Sequence, residues 1–423
     1  MDDTGKDQTA RQPSILLVST QPWLFPARMA MVLKRAGCHV EGASPRGSPL
    51  YRSSAVATRH RLNGWSLLSD LENIIRRVRP DRIIPCDDLA TNLLVRLHEV
   101  AAIRPIIETS LGNPASFTVL LSKGAQMVVA KELALPMPAT AYMADRAAYR
   151  AATASGDLPK VLKVDGSFGG QGVAVVHDLP SADAAWERLT RAPTLWAAIK
   201  CAVGERSSRA LTARHHWRVS RPHLQAFADG KPANCAVYCD RGRVVAGFSV
   251  LAVETDGAYG PASVVRVIDH PRMIASAEAL VAHLGLSGFH GLDFILTPDG
   301  DALFLELNPR ATPICHLAAP GGHGLVTAMV ESLGKSLGES LGGSGNSMSV
   351  LANGETIALF PNELARDQTS PHLDGWHDVP WDDLPMVRFA LRRLAITRSW
   401  DKLLLRVRTY LPKPIRNPVG HHK

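Results

Sequence analysis

The chain has 423 residues, 46% of them hydrophobic, enough for two or three units with real cores, which excludes a small fold stapled by disulfides. Its polar start, Met1 to Ser14, carries Asp2, Asp3, Lys6 and Arg11, and every longer apolar stretch is broken by charge or Pro; neither a secretory signal nor a bilayer span is expected, and the cytoplasm is. The net charge of +8 is concentrated at the end, where ten Lys or Arg follow Met386 against the single acid Asp401, so the nearly balanced body is not expected to bind nucleic acid.

The six cysteines (Cys38, Cys86, Cys201, Cys235, Cys239, Cys315) are scattered and read as reduced thiols. Cys235 and Cys239 fall four apart in an alternating strand pattern, too distant along a strand to share a zinc ion.

Ile15 to Val18 reads as a buried strand, Ala27 to Ala36 as an amphipathic helix stopped by Gly37, and His39 to Ala43 as a second strand. A helix from Ser66 to Val78, a strand from Asp81 to Pro85 and a helix from Asp88 to Val100 continue the alternation. This predicts a Rossmann-like parallel sheet with helices on it over 14–115. After Val18 come Ser19, Thr20, Gln21 and Pro22, with no glycine triad to admit a pyrophosphate, which excludes a dinucleotide oxidoreductase. Open α/β sheets bind ligands beyond the carboxyl ends of their strands, so Asp87 and Asp88 are candidate substrate contacts. The alternative is that Asp88 caps the following helix.

A second region, 116–335, opens with a helix from Ser116 to Leu133, turns at Pro136 and Pro138, and continues as mixed helix and hairpin strand, an α+β pattern. The Gly, Ser and Asn block over 336–353 reads as a loop or linker, followed by a C-terminal extension, 354–423, with a strand near Thr356 to Phe360. In its basic tail Arg388, Arg392, Arg393, Arg398, Lys402, Arg406 and Arg408 alternate with Leu, Ile and Phe. An amphipathic helix there would suit an acidic partner or a membrane surface, or would simply be a solvated helix packed on its own domain.

Two runs carry chemistry. In KVLKVDGSFGGQGVAVV, Lys160 to Val176, two apolar strands flank a loop containing Gly166, Gly169, Gly170 and Gly172, which suits either a lid over phosphates with no side chain in the way or an ordinary hairpin with a wide turn. The strand-to-helix phosphate loop GxxxxGK[ST] is absent. Lys163, in the first of those strands, needs an anion if it is buried, and phosphate at the adjacent loop supplies one.

The second run, GLDFILTPDGDALFLELNPR, spans Gly291 to Arg310 and is a hairpin turning at Pro298, Asp299 and Gly300. A turn centred on Asp299 and Gly300 sets Ile295 opposite Phe304 and Asp293 opposite Glu306, with Asn308 projecting from the same side. Opposed carboxylates are unfavourable without a cation between them, and hard oxygen donors suit magnesium that keeps waters and phosphate oxygens. Arg310, just beyond, offers a planar fork for a substrate carboxylate or phosphoryl group, the alternative being a surface salt bridge.

These residues resemble the ATP-grasp superfamily, the group that holds D-alanine–D-alanine ligase, biotin carboxylase and carbamoyl phosphate synthetase, over roughly Ser116 to Leu333. The resemblance implies a two-lobed fold with antiparallel sheets, a nucleotide lobe near 140–228 and a metal lobe near 229–335. It implies ATP held by Lys123, Lys163, the lid glycines Gly169, Gly170 and Gly172, and a hinge of Gln225, Ala226, Phe227 and Ala228 at the adenine. It further implies Mg2+ or Mn2+ on Asp293, Glu306 and Asn308. The chain departs from the pattern at Gln225, where Glu is common, and at Lys231, Pro232 and Ala233, where a ribose-binding Glu usually stands. The Arg- and His-rich stretch Leu195 to Arg221, with His215 and His216, reads as a lid or a solvated insertion.

The implied reaction is activation of a substrate carboxylate as an acyl phosphate with release of ADP, then attack by an amine while Arg310 holds the oxyanion. Lys163 and Arg310 are thus the catalytic candidates, and small-molecule acid and amine the expected partners; a homodimer stays open. His316 and His323 are candidates for the substrate pocket. GxSxG is absent, and Cys315 with His316 reads as a loop contact rather than a catalytic pair. Two alternatives are a bicarbonate-using carboxylase or carbamoyl-phosphate-type enzyme, and a non-catalytic nucleotide-binding regulatory protein.

Overall fold

The apolar run Ser14–Val18 forms β1, and all five residues are buried because both faces of the strand are covered. That is why it reads as continuous rather than alternating hydrophobicity. The protein is described here from a computed structural model covering residues 12–164, 172–191, 194–197, 199–200, 222–257, 260–317, 324–334 and 352–395.

After β1 come α1 (Phe25–Arg35), β2 (His39–Ser44), α2 (Pro49–Arg52), β3 (Thr58–Arg61), α3 (Leu67–Val78), β4 (Arg82–Pro85), α4 (Asp88–Leu97) and α5 (Arg104–Leu111). The strands form one parallel sheet in the order β3-β2-β1-β4. Leu16 and Val18 pack into one core cluster and Ile15 and Leu17 into another, as alternation along a doubly covered strand requires. β3, Thr-Arg-His-Arg, escapes the hydrophobic pattern because it is an edge strand with only His60 turned inward.

The single helix expected from Ser116 to Leu133 is broken. A short 3-10 turn and α6 (Phe117–Leu120) end before Ser122, whose hydroxyl accepts the Ala125 N–H and starts a separate helix, α7 (Lys123–Glu132). Such a cap stabilises a helix by about 1 kcal/mol. It also sets Lys123 at the first helical position.

A small antiparallel sheet follows, built from β5 (Thr140–Tyr142), β6 (Lys160–Lys163), β7 (Val173–Val176) and β8 (His223–Ala226) in the order β5-β8-β6-β7. Tyr149 of α8 (Arg146–Ala154) and Ala185 and Leu189 of α9 (Leu179–Thr190) cover it, against Leu162, Ala174 and Val176.

The largest sheet has seven strands in the order β13-β12-β9-β10-β11-β14-β15. They are β9 (Lys231–Asp240), β10 (Arg243–Thr255), β11 (Ala262–Ile268), β12 (Gly288–Leu296), β13 (Ala302–Asn308), β14 (Thr356–Ala358) and β15 (Trp376–His377), antiparallel except for β14 with β15. Cys235, Cys239, Leu292, Phe294 and Phe304 point to one face, in a cluster with Met273, Ala277 and Leu280 of α10 (Pro271–Leu284) and Met127 of α7. Ala236, Tyr238 and Phe289 point to the other, with Met329 of α11 (Leu325–Ser332) and Ile15 and Leu17 of β1. The first and last sheets therefore share core, in line with the mixed α/β and α+β class expected.

The C-terminal extension is knitted into the body. Asp378 is buried beside Arg28 of α1 and His316, and accepts the Phe360 N–H at 2.6 Å. Asp383 accepts from Ser53 Oγ at 2.8 Å and Ser54 N at 2.9 Å, and Arg393, on the helix 384–395, donates to the Pro22 carbonyl. Most of the 336–353 block, the stretch 201–221, and Arg398, Lys402, Arg406 and Arg408 of the tail lie outside the described residues. Among the described residues no helix is long and apolar enough to cross a membrane.

Candidate active site

The hairpin of β12 and β13 sets Asp293 directly opposite Glu306. The register differs from the expectation on the turn side of that pair. Ile295 faces Leu303, not Phe304, and Phe304 faces Phe294 from the core side of the sheet, because the ladder shifts by one residue between Asp293 and Phe294. The outward N–H groups of β13 are taken by the Gln126 side chain, at 3.0 Å from the Leu307 N, and by the Pro136 carbonyl, at 2.8 Å from the Phe304 N. The chain following α7 and α7 itself thus close the sheet edge that carries Glu306.

Around the two carboxylates the polar groups are closely interlocked. Asn308 Nδ2 donates to Asp293 Oδ2 at 2.9 Å, and Asn234 Nδ2, from the neighbouring position on β9, donates to Asp293 Oδ1 at 2.6 Å. Lys123 Nζ stands 2.6 Å from Glu306 Oε2. Arg310 Nη2 donates to Asn308 Oδ1 at 3.1 Å and its Nε to Asp88 Oδ1 at 2.8 Å, while the Trp23 ring lies 5.5 Å from the guanidinium carbon. Lys163, at the end of β6 and buried, is within electrostatic reach of Glu306, Lys123 and Asp293. Two sheets and two helix starts therefore bring their charged ends to one place.

The charges tune one another. Burial and the neighbouring Glu306 push the Asp293 carboxyl up to about 6. Burial also works against the Glu306 carboxylate, but Lys123 and Lys163 outweigh it and hold that group down at about 2. Burial lowers the Lys163 ammonium despite the pull of Glu306. Burial opposes the charge on Arg310 too, yet Asp88 more than compensates and raises it.

This donor set fits a divalent cation of magnesium's kind. Like charges are opposed on one face, the available donors are hard oxygens, and Asn234 Oδ1 is buried with no hydrogen-bond partner, a condition that costs about 1–3 kcal/mol when nothing meets it. Among the described residues no cluster of three or more His, Cys, Asp or Glu stands ready as a cage, and the oxygen donors gathered here are two carboxylates and amide oxygens. That is the pattern for an ion that keeps waters and ligand phosphates.

The other candidates are distributed as follows. Gly172 closes the base of the β6–β7 hairpin, its carbonyl accepting the Val164 N–H at 2.9 Å, whereas Gly169, Gly170 and His323 lie outside the described residues. Gln225 is buried and donates to Thr140 Oγ1 at 3.0 Å; Ala226 N bonds the Ala139 carbonyl at 2.8 Å, and Phe227 and Ala228 follow at the end of β8. Asp87, not Asp88, caps α4. It is fully buried, and besides the Ala90 N–H it takes the Ser19 and Thr20 hydroxyls and the Thr20 and Gln21 N–H groups, which leaves Asp88 free to meet Arg310. His316 turns from the hairpin to Asp378 at 3.0 Å, and Cys315 Sγ accepts the Thr312 N–H at 3.2 Å.

Asn234 and Trp23 were not singled out from the sequence. Asn234 carried a signal, a polar residue in phase with Ala236 and Tyr238 on an otherwise apolar strand; Trp23 carried none, being one loop aromatic among many.

The chain has the ATP-grasp fold. It is similar to biotin carboxylase from Campylobacter jejuni in a β,γ-ATP complex, at 15% identity over 80% of this chain and 74% of that one, with a TM-score of 0.55. It is similar to carboxyaminoimidazole ribonucleotide synthase from Aspergillus clavatus with ATP, at 13% over 80% of each chain and 0.54. The biotin carboxylase domain of Hydrogenobacter thermophilus 2-oxoglutarate carboxylase, with MgADP, ADP and bicarbonate, gives 13% over 78% and 71% and 0.54. No family model and no curated protein matches the sequence.

Proposed function

We propose that this chain is an ATP-dependent, ADP-forming ligase that activates a carboxylate as an acyl phosphate and couples it to an amine. The observation that carries the reading is the pairing of Asp293 with Glu306 on one sheet face, bordered by Asn308, Lys123, Lys163 and Arg310. Asp293, Glu306 and Asn308 would hold Mg2+ (or Mn2+), which when bound offsets charge on the phosphate oxygens. Lys123 and Lys163 would neutralise the phosphates directly, and the glycines at 169, 170 and 172 would cover them. Arg310, aimed by Asp88 and Asn308, would orient the acid and then the oxyanion formed when the amine attacks. Gln225 and the backbone of Ala226, Phe227 and Ala228 would border the adenine. The unit boundaries that go with this reading are 14–115, 116–335 and 354–423, and the cytoplasm is its natural setting.

Bicarbonate as the acid is a second reading, favoured by the bicarbonate that accompanies MgADP in the Hydrogenobacter carboxylase domain. ADP release from ATP and Mg2+, screened over amino acids, small carboxylic acids and bicarbonate with and without amines, separates the two. The ligase reading expects turnover that needs both an organic acid and an amine. Turnover with bicarbonate and no organic acid favours the second, and no acid-dependent ADP release under any pairing removes both.

A further inference from the structure

Asn234 lies in the same cross-sheet row as Asp293 and Glu306, running over β9, β12 and β13. A carboxamide has a donor end and an acceptor end. The donor end of Asn234 is spent on Asp293 Oδ1, at 2.6 Å, and the acceptor end, Oδ1, is buried without a partner. Asn308 differs, because both of its ends are used, Nδ2 on Asp293 and Oδ1 on Arg310. Turning the Asn234 amide over would set its oxygen against Asp293 Oδ1, acceptor against acceptor, so neither orientation satisfies the group within the protein. The other members of the row are carboxylates with no proton to offer Oδ1 when ionised. What answers a lone oxygen beside the Asp293 carboxylate, in a row that continues to Glu306, is a cation or water bound to one.

We infer that Asn234 belongs to the cation site: it fixes the Asp293 carboxylate through Nδ2 and contributes Oδ1 to the divalent ion, directly or through one of its waters. The inference rests on the proposed nucleotide-binding role of the same site and adds a residue to it. Groups that hold a metal ligand or a bound water in position typically change metal affinity 10–100-fold when removed.

The test uses the full chain, ADP and Mn2+, with Mn2+ binding to the ADP complex read by electron paramagnetic resonance and ADP binding in EDTA read by calorimetry. Asn234→Ala is expected to weaken Mn2+ binding at least about 10-fold while ADP affinity in EDTA stays within twofold. Asn234→Asp, which keeps the shape and restores an oxygen ligand, is expected to recover Mn2+ binding. Unchanged Mn2+ affinity in Asn234→Ala, or an equal loss of ADP affinity in EDTA, overturns the role of Asn234 alone. Should Asn234→Ala not fold, Asn234→Asp decides: Mn2+ binding at or above the original level supports the inference, and loss of binding in a folded protein contradicts it. Failure of the unaltered chain to bind Mn2+ with ADP at all overturns the nucleotide reading, and this inference with it.

Discussion

Lys123 Nζ stands 2.6 Å from Glu306 Oε2, tying the first residue of α7 to the edge strand of the largest sheet. The contact does two things at once: it favours the ionised form of Glu306 and holds a lysine beside the carboxylates, where the proposed function places phosphate. Hydrogen bonds to charged groups contribute about 1.5–3 kcal/mol, so Lys123→Met is expected to weaken ADP binding roughly 10- to 100-fold. Calorimetry with ADP checks this, and an unchanged affinity would leave Lys123 a purely structural partner of Glu306.

Arg310 is held on both sides, by Asp88 at 2.8 Å and Asn308 at 3.1 Å. A lysine cannot keep that fork. Arg310→Lys is expected to slow ADP formation, with the acid and amine found in the screen, by about 100-fold, the loss typical of one oxyanion donor, while MgADP affinity holds. Asp88→Asn, which loosens the guanidinium without removing it, should give a smaller loss. Equal rates in Arg310→Lys and the unaltered protein would remove the arginine from the chemistry.

The buried cluster of Arg28, Asp378 and His316 joins the N-terminal helix α1, the segment after the hairpin and the C-terminal extension. Asp378→Ala leaves Arg28 buried without a counter-charge, bonded only to the Phe360 carbonyl, and is expected to destabilise the protein by about 3–5 kcal/mol, measured by urea unfolding. The cluster also sets a pH dependence. Burial lowers the His316 pKa despite Asp378, so between that folded value and the ordinary 6.5 the unfolded chain holds a proton the folded chain lacks, and stability falls as pH drops below about 6.5. His290, lowered to about 4 by burial, acts in the same direction. Asp378 itself, with burial opposing its charge but Arg28 and His316 prevailing, is lowered, and adds stability that is lost at still lower pH. His316→Gln should flatten the change in urea midpoint between pH 7 and 5; an unaltered slope would contradict the assignment.

Gly291 lies across from Asn308, and a methyl group added there would overlap the Thr312 side chain. Gly291→Ala is expected to cost about 1–3 kcal/mol and to disturb the segment that carries Arg310. Trimming the obstructing methyl with Thr312→Ser should return part of the loss. Thermal unfolding of the single and double variants measures it, and strictly additive losses would place the strain elsewhere.

Much of this site was legible because a hairpin fixes which residues meet. The pairing of Asp293 with Glu306 follows from the Pro298–Asp299–Gly300 turn, yet it is reached by two offsets that cancel. The ladder nearest the turn is one residue out from the expected register, Leu296 meeting Ala302, and the shift beside Asp293 restores it. No residue pattern announces that shift; it accompanies edge-strand N–H groups bound by Gln126 and Pro136, partners distant in sequence. The break at Ser122 could have been read, since Ser before a helical run is a cap signal, but the apolar residues on both sides suggested one continuous helix. Asp88 was marked by its place after a strand and Asn234 by its polarity on an apolar strand, but their partners, and the role of Trp23, emerge only when separate segments converge. In the parallel sheet β1 and β4 were the easiest to read, because their buried apolar runs stand out, whereas the polar edge strand β3 was not read as a strand.

The most direct measurement is calorimetric binding of ATP, with and without Mg2+, to the unaltered chain and to a variant carrying Asp293→Asn and Glu306→Gln. The unaltered protein should bind ATP at least about tenfold more tightly when Mg2+ is present, and the variant should lose that gain while keeping its Mg2+-free affinity. Equal enhancement by Mg2+ in both proteins would contradict the claim that this pair of carboxylates holds the cation.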